Sequence, residues 1–214
     1  MKKLGIFGGT FNPIHNGHIK AANEALKIMR LDEVIFIPNK IPPHKQMEYK
    51  TAEHDRFMMT HLATKDNPNF IVSDIELKRD GVSYTYDTIA AFKEIYPNDN
   101  LFFIAGLESL INYKWYKLDE LLALLEAFLV IKRPGTSVEQ FNEMMKHSEL
   151  KNVDKIRLLE IDTIEISSTQ VREKIDKNES LREYLPGEII NYIKEKNLYP
   201  APTETSPEKM PRAQ

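Results

Sequence analysis

Two histidines three residues apart are the side chains best placed to do chemistry in this chain. His15 and His18 belong to the run Gly8-Gly9-Thr10-Phe11-Asn12-Pro13-Ile14-His15-Asn16-Gly17-His18. At this spacing both rings can face one side of the first turn of a helix and donate hydrogen bonds. The glycines let the backbone approach an anion closely, and the first N–H groups of a helix point toward such an anion. The run therefore predicts a cradle for phosphate.

The segments on either side of this run must hold it in place. The apolar residues 4–7 before it are typical of a buried strand, and residues 19–29 after it carry apolar side chains at helical spacing. The order is strand, glycine turn, histidines and helix, so the positive end of the helix dipole adds to the attraction for a bound anion.

Strand-like and helix-like segments alternate along the rest of the chain. Apolar runs predict further strands at 33–38, 70–73, 101–106, 128–131 and 156–161. Helices are predicted at about 51–64, 87–96, 118–125 and 138–147, and two more from about Thr169 and Pro186. Thr51 is the expected N-cap of the 51–64 helix.

This alternation predicts the fold class. Continuous apolar strands separated by helices indicate an α/β protein: a doubly wound, Rossmann-like parallel sheet with helices on both faces and a small C-terminal helical extension. Ligands of such sheets bind beyond the carboxyl ends of the strands. We expect one domain over residues 1–200. Residues 201–214 are rich in Pro, Thr, Ser and charge, which predicts a disordered tail.

The composition excludes several kinds of chemistry. The chain has 214 residues, no cysteine and a formal net charge of −3. Disulfides, thiolate catalysis and Cys-based zinc sites are therefore excluded. There is no basic stripe for nucleic acid and no apolar run that spans a bilayer. Because the first strand begins almost at once, we expect no signal peptide. We expect a soluble, cytoplasmic protein that binds neither nucleic acid nor membrane; its oligomeric state stays open, a homo-oligomer included.

Five landmarks resemble those of one enzyme family. The histidine run resembles the (H/T)xGH signature of the nucleotidylyltransferase superfamily, and a second signature of that superfamily resembles Ile166-Ser167-Ser168-Thr169-Gln170-Val171-Arg172. Within the superfamily, the whole chain is similar to the bacterial nicotinate-nucleotide adenylyltransferases on three further segments, namely Pro42-Pro43-His44-Lys45, Gly81-Val82-Ser83-Tyr84-Thr85-Tyr86-Asp87-Thr88 and Lys114-Trp115. The similarity extends in order from Met1 to about Tyr199.

The resemblance implies a reaction and its partners. In this family the 5′-phosphate of nicotinate mononucleotide attacks the α-phosphorus of ATP, giving deamido-NAD and pyrophosphate in NAD biosynthesis. Mg²⁺ enters with ATP, bridges phosphate oxygens and keeps several waters, so few protein ligands are needed. No covalent intermediate forms, and catalysis works by alignment and by neutralisation of charge.

The same resemblance assigns the ATP side of the site. His15 and His18 are expected to hold the ATP phosphates as catalytic residues. Gly8, Gly9, Thr10 and Phe11 are expected to bind ATP without a catalytic role. Ser167, Ser168, Thr169 and the catalytic Arg172 form a second phosphate site, in which Ser168 or Thr169 caps the helix that follows. The planar fork of Arg172 suits phosphate oxygens. Arg133 is assigned near the adenine.

The acceptor side is assigned in the same way. Asn12, His44 and Lys45 are expected at nicotinate mononucleotide, with Lys45 as a catalytic residue on a proline-rich loop. Thr85 and Tyr86 receive the nicotinate carboxylate, and the indole of Trp115 stacks on the pyridinium. A site that binds a carboxylate disfavours the neutral amide, which loses charge-assisted hydrogen bonds.

One segment departs from the family pattern. The family usually carries Gly-Ala-Asp after the fourth strand, whereas this chain has Gly106-Leu107-Glu108, and the segment leading to Trp115 is one residue shorter than usual. Glu108 keeps the charge but adds a methylene, so its contact with ribose or with metal-bound water must shift. Gly106 and Glu108 are nevertheless assigned to ATP.

Each motif also has a simpler interpretation. The histidines could be solvated residues or a cap at a helix start, or half of a zinc site, although no third ligand is evident nearby. The second motif could be an ordinary capped helix with an exposed arginine. Lys45 and Arg133 could be solvated surface residues, and Trp115 could belong to the core.

Other functions stay open on the sequence alone. Pantetheine-phosphate or cytidylyl transfer would use the same phosphate site with another acceptor. A non-catalytic nucleotide-binding protein would bind ATP without releasing pyrophosphate, but intact motif histidines argue against it. A dinucleotide-binding dehydrogenase is disfavoured because two adjacent glycines and HxGH replace GxGxxG.

Overall fold

A single parallel sheet organises the chain. The computed structural model describes residues 1–43, 51–132, 137–161, 164 and 166–200. Within them the strands are β1 Lys3–Gly9, β2 Glu33–Pro38, β3 Phe70–Val72, β4 Asn100–Gly106, β5 Ala127–Lys132 and β6 Ile156–Glu160. Their order is β3-β2-β1-β4-β5-β6, and all neighbouring strands are parallel. The predicted α/β sheet is confirmed.

Helices cover both faces of this sheet. Their bounds are α1 Asn16–Met29, α2 Glu53–Thr64, α3 Ile75–Lys78, α4 Thr85–Ile95, α5 Leu107–Asn112, α6 Leu118–Leu124, α7 Glu139–Lys146, α8 Ser168–Asp176 and α9 Gly187–Glu195, with a 3₁₀ turn at Val153–Lys155. One core cluster packs helices α1, α2, α8 and α9 against one face of the sheet. A second core cluster packs helices α4, α5, α6 and α7 against the opposite face. The two C-terminal helices, α8 and α9, therefore belong to the same layer as α1 and α2.

The inner strands β1, β2, β4 and β5 read as nearly continuous apolar runs because both of their faces are buried, whereas the edge strand β6 exposes Arg157 and Glu160. In β5, Phe128 and Val130 belong to one core cluster, whereas Leu129 and Ile131 belong to the other. Strand side chains alternate between faces, so an inner strand that is covered on both sides is apolar at nearly every position. Burying each of these side chains contributes about 1.5–3 kcal/mol.

Most predicted elements are present, and the differences lie at helix ends. The expected N-cap at Thr51 is wrong, because α2 begins at Glu53 and its N-cap is Ala52. The buried hydroxyl of Thr51 instead hydrogen-bonds to the phenol of Tyr199. The short helices α3 and α5 were not predicted, since four to six residues are too few to show a helical period.

The strand order places a crevice beside β1. From β1 the chain builds outward to β2 and β3, then crosses to the other side for β4, β5 and β6. Loops at the carboxyl ends of β1 and β4 therefore diverge and leave an opening between them. Across the described segments, no helix has the length and apolar character needed to cross a bilayer.

Candidate active site

A cleft of about 650 Å³ opens at this switch point. It is lined by most of the residues that the sequence assigned to the site: Gly8, Gly9, Thr10, Phe11, Asn12, His15, His18, Thr85, Gly106, Glu108, Trp115, Ser167, Ser168, Thr169 and Arg172. Segments far apart in the sequence thus meet around one space large enough for a nucleotide.

Four assigned residues are placed elsewhere or lie outside the described chain. The ring of Tyr86 packs beside the second core cluster, and the Nζ atom of Lys117 lies 4.7 Å from its centroid. Tyr86 is not among the residues lining the cleft, so the prediction for its side chain finds no support in the geometry. His44, Lys45 and Arg133 fall outside the described residues, and their roles stay predictions.

The turn after β1 is shaped by Phe11. This residue has a φ of 47°, which is uncommon for a side chain of its size. Its ring folds back against the turn, so a Cβ at Gly9 would lie 2.8 Å from two ring carbons. Only glycine fits there. The following Asn12–Pro13 peptide bond is cis, and the chain then enters α1.

His15 and His18 form a packed pair at the start of α1. His15 is the N-cap and only 1% exposed, and the two rings stack with centroids 3.6 Å apart. The backbone N–H of His15 donates to Nδ1 of His18 at 3.2 Å. An accepting nitrogen carries no hydrogen, so the proton of the neutral His18 ring is on Nε2. The ring edge of Phe11 contacts His18 from another side, with centroids 5.2 Å apart.

The second motif forms a capped helix start that touches the first motif. Ser167, rather than the expected Ser168 or Thr169, is the N-cap of α8, because its hydroxyl accepts from the N–H of Gln170 at 3.2 Å. The Gln170 side chain accepts in return from the N–H of Ser167 at 2.8 Å. Ser168 is thereby released from capping, and its hydroxyl donates to the carbonyl of Pro13 at 2.9 Å.

Arg172 joins the two motifs directly. Its Nη1 donates to the carbonyl of Asn12 at 2.8 Å, across 160 residues of sequence, and its Nη2 donates to the hydroxyl of Thr169 at 3.2 Å. An ordinary capped helix with an exposed arginine is therefore not what the structure contains. The guanidinium holds the histidine turn and α8 together at the wall of the cleft.

Aromatic residues surround the start of α4 at the other end of the cleft. The indole of Trp115 donates to the carbonyl of Ser109 at 3.1 Å, and its edge contacts Phe103 and Phe128. It therefore packs on the core and also lines the cleft. Tyr84 and Tyr116, whose rings lie 4.6 Å apart here, also line the cleft but were not assigned to the site from the sequence. Their adjacency to Thr85 and Trp115 was the available signal.

Four of the described helices begin at the cleft. The N-caps of α1, α4, α5 and α8 all line it, namely His15, Tyr84, Gly106 and Ser167. Each helix start carries about half a positive charge, so the cleft favours anions at several points. These helix starts and the guanidinium of Arg172 at the wall provide local attraction for anions in a chain whose net charge is −3.

Two buried or partly buried charged groups complete the site. Arg56, fully buried in α2, lies behind the histidine turn, and burial lowers the pKa of its guanidinium. Glu76 lines the cleft and is 6% exposed, and burial raises the pKa of its carboxyl despite a 2.7 Å hydrogen bond from Thr88. Among the described residues, no three His, Cys, Asp or Glu side chains are grouped to hold a metal ion.

Comparison with known proteins agrees with this geometry. The family model described as cytidylyltransferase-like matches residues 6–174. The chain is 44% identical over 201 residues to the nicotinate-nucleotide adenylyltransferase of Bacillus subtilis, covering 93% of this chain and 99% of that protein. It is 42% identical to a probable nicotinate-nucleotide adenylyltransferase of Clostridium tetani, covering 93% and 100%.

A solved structure shares the fold. The nicotinic acid mononucleotide adenylyltransferase of Plasmodium falciparum, complexed with NaAD, superposes with a TM-score of 0.76 at 22% identity, covering 93% of this chain and 98% of that one. The chain belongs to the cytidylyltransferase-like family, in which the bacterial nicotinate-nucleotide adenylyltransferases resemble it over most of its length.

Proposed function

We propose that this protein transfers the adenylyl group of ATP to the 5′-phosphate of nicotinate mononucleotide, forming deamido-NAD and releasing pyrophosphate. The observation that carries the proposal is the contact between the two motifs, Arg172 to Asn12 and Ser168 to Pro13, at the wall of one anion-binding cleft. The relatives at 42–44% identity bear the name of this activity.

The donor side aligns and neutralises the triphosphate. The Nε2–H of His18, the backbone of Gly8 and Gly9, and the start of α8 offer donors to ATP phosphate oxygens. An oxygen of the acceptor phosphate attacks the α-phosphorus, and the bond from that phosphorus to the oxygen bridging to the β-phosphate breaks. Pyrophosphate leaves with the electron pair. Fixed donors that strengthen their contacts as charge shifts to the leaving group lower the barrier.

The acceptor side distinguishes a carboxylate from an amide. The N–H groups at the start of α4 have no side-chain cap, and Thr85 at that start lines the cleft. We assign the nicotinate carboxylate to this helix start and the pyridinium ring to Trp115. His44 and Lys45 are assigned to the reacting phosphates and Arg133 to the adenine side, as the family resemblance implies.

Mg²⁺ is proposed to enter as part of the MgATP substrate. A phosphate-bound magnesium ion keeps several waters and takes few protein ligands. This suits the cleft, because among the described residues no three His, Cys, Asp or Glu side chains are grouped to hold a metal ion. A cytoplasmic location is part of the same proposal.

Pyrophosphate release tests the function. Purified protein with MgATP is mixed with nicotinate mononucleotide, nicotinamide mononucleotide or phosphopantetheine, and CTP replaces ATP in a parallel series. We expect release with ATP and nicotinate mononucleotide and, at equal concentrations, slower release with the amide. Faster turnover with CTP or with phosphopantetheine would contradict the assignment, as would ATP binding without any pyrophosphate.

A further inference from the structure

A tyrosine at the far end of the described chain reaches the histidine turn. The hydroxyl of Tyr199 donates to Oδ1 of Asn12 at 2.6 Å, across 187 residues of sequence. Tyr199 is 2% exposed, although it follows α9 and precedes the last described residue. Its φ of 58° lies in the left-handed region, which a bulky side chain adopts only when surrounding contacts impose it.

Buried polar groups around Tyr199 hold its hydroxyl in place. Thr51 hydrogen-bonds to the phenol, and Arg56 and Arg172 are near enough to act on it electrostatically. Burial raises the pKa of Tyr199 far above its ordinary value of 10.0, so the phenol keeps its proton at working pH. A protonated phenol is a hydrogen-bond donor, and the acceptor it faces is the carbonyl oxygen of the Asn12 amide.

Asn12 itself is held tightly against the cleft. It is 6% exposed and lines the cleft, and its backbone carbonyl accepts from Arg172. With the backbone held in this way, a half-turn of the amide about its last bond would exchange the positions of its oxygen and nitrogen. The two ends have opposite hydrogen-bonding character, since the oxygen accepts and the nitrogen donates.

We infer that Tyr199 is a positioning residue: it holds the Asn12 amide with its oxygen turned inward, so that its NH₂ group donates to the phosphate of the acceptor mononucleotide. This inference rests on the proposed function. In the opposite orientation the carbonyl oxygen would face the phosphate and repel it. Tyr199 touches no substrate, so its effect passes entirely through Asn12.

The phenylalanine variant removes only the hydroxyl. Tyr199→Phe keeps the ring and its packing, and we expect the dissociation constant and KM for nicotinate mononucleotide to rise about 5- to 50-fold. The KM for ATP should change less than 2-fold. The matched control is Tyr192→Phe, which removes another hydroxyl that donates to Asp55 at 2.8 Å and lies away from the cleft. Calorimetric titration with nicotinate mononucleotide in the absence of ATP measures the dissociation constant without any contribution from turnover.

A double-mutant cycle then tests the route through Asn12. In an Asn12→Ala background, Tyr199→Phe should have no further effect on acceptor affinity, because no amide is left to orient. Equal losses in both backgrounds would overturn the inference, as would an acceptor affinity in Tyr199→Phe that matches wild type and Tyr192→Phe.

A third variant covers the case in which Tyr199→Phe does not fold. Asn12→Asp keeps an oxygen for Tyr199 and presents a second oxygen, instead of an NH₂ group, to the cleft. Acceptor affinity should fall at least as far as in Tyr199→Phe, and unchanged affinity would refute the orientation. The wild-type protein tests the proposed function separately. If it neither binds nicotinate mononucleotide nor releases pyrophosphate with it, both the proposed function and the role of Tyr199 are overturned. If the wild type is active and the variants are unaffected, only the role of Tyr199 is overturned.

Discussion

The guanidinium of Arg56 donates to the carbonyl of Thr10 at 2.8 Å, and Thr10 lies 46 residues earlier in the chain. Its second nitrogen donates to the carbonyl of Asn39 at 2.6 Å. One buried cation thereby fastens the turn after β1 to the turn after β2, and both turns border the cleft. The distance between these two turns therefore depends on Arg56, which does not itself line the cleft.

Arg56→Met should therefore destabilise the fold and disturb the turns. The methionine removes a donor from the carbonyls of Thr10, Asn39 and Lys40. Hydrogen bonds to charged groups contribute about 1.5–3 kcal/mol each, and the loss is partly offset because the guanidinium no longer has to be desolvated. We expect the free energy of unfolding in urea to fall by about 2–4 kcal/mol. The exposed Arg182→Met is the control, and equal stability of the two variants would contradict the role.

His18→Ala should lose turnover without losing the fold. The ring supplies the Nε2–H donor at the phosphate cradle, and removing one such donor costs about 10²- to 10³-fold in kcat. Thermal unfolding should show a native-like cooperative transition. His147→Ala, which removes an exposed imidazole in the segment after α7, should keep wild-type turnover. A His18→Ala enzyme within a few-fold of wild type would mean that the imidazole does not serve the transition state.

Trp115→Ala should weaken binding of the acceptor and spare the donor. A cation–π contact with the pyridinium contributes about 0.5–2 kcal/mol, so KM for nicotinate mononucleotide should rise about 2- to 30-fold while KM for ATP stays constant. Trp115→Phe keeps a ring on Phe103 and Phe128 and should recover part of the loss. If both KM values rise together in steady-state assays, the indole supports the core and not the pyridinium.

Glu76→Gln should change how stability depends on pH. Burial raises the pKa of Glu76 above its ordinary 4.5, so between the unfolded and folded pKa values the folded chain binds more protons than the unfolded chain. The carboxyl therefore contributes its full stability below about pH 4.5, and that contribution is lost as the pH rises through the folded pKa.

Urea unfolding of wild type and Glu76→Gln at pH values from 4 to 8 measures this difference. The glutamine can still accept from Thr88 and does not ionise, so the variant should gain stability relative to wild type as the pH rises. The exposed Glu94→Gln provides the comparison for loss of a surface carboxylate. A constant difference between Glu76→Gln and wild type across this range would contradict the prediction.

The sequence determined the sheet, the position of the cleft and the two phosphate motifs. Apolar runs marked the strands because both faces are buried, and the loop after β1 had to lie at the switch point of a doubly wound sheet. The spacing of His15 and His18 and the run ending in Arg172 were visible because each motif is local. A local capping signal was nevertheless misassigned in the second motif. Ser167 and Gln170 have the S-x-x-Q spacing of a capping box, which marks Ser167 as the cap in the sequence, and the tertiary contact with Pro13 then gives Ser168 a different role.

Only the tertiary structure decided how the motifs are held. In the sequence, Arg56 lies in an ordinary predicted helix, Glu76 lies in a segment without a predicted element, and Tyr199 lies at the end of the predicted domain. Nothing in their local pattern marks them. Their roles arise from burial, because a charged or polar group removed from water must find partners wherever the packed chain brings them. For Tyr199 that partner is Asn12, 187 residues earlier in the chain, and the two meet because Tyr199 packs in the same core cluster as Phe11, the neighbour of Asn12.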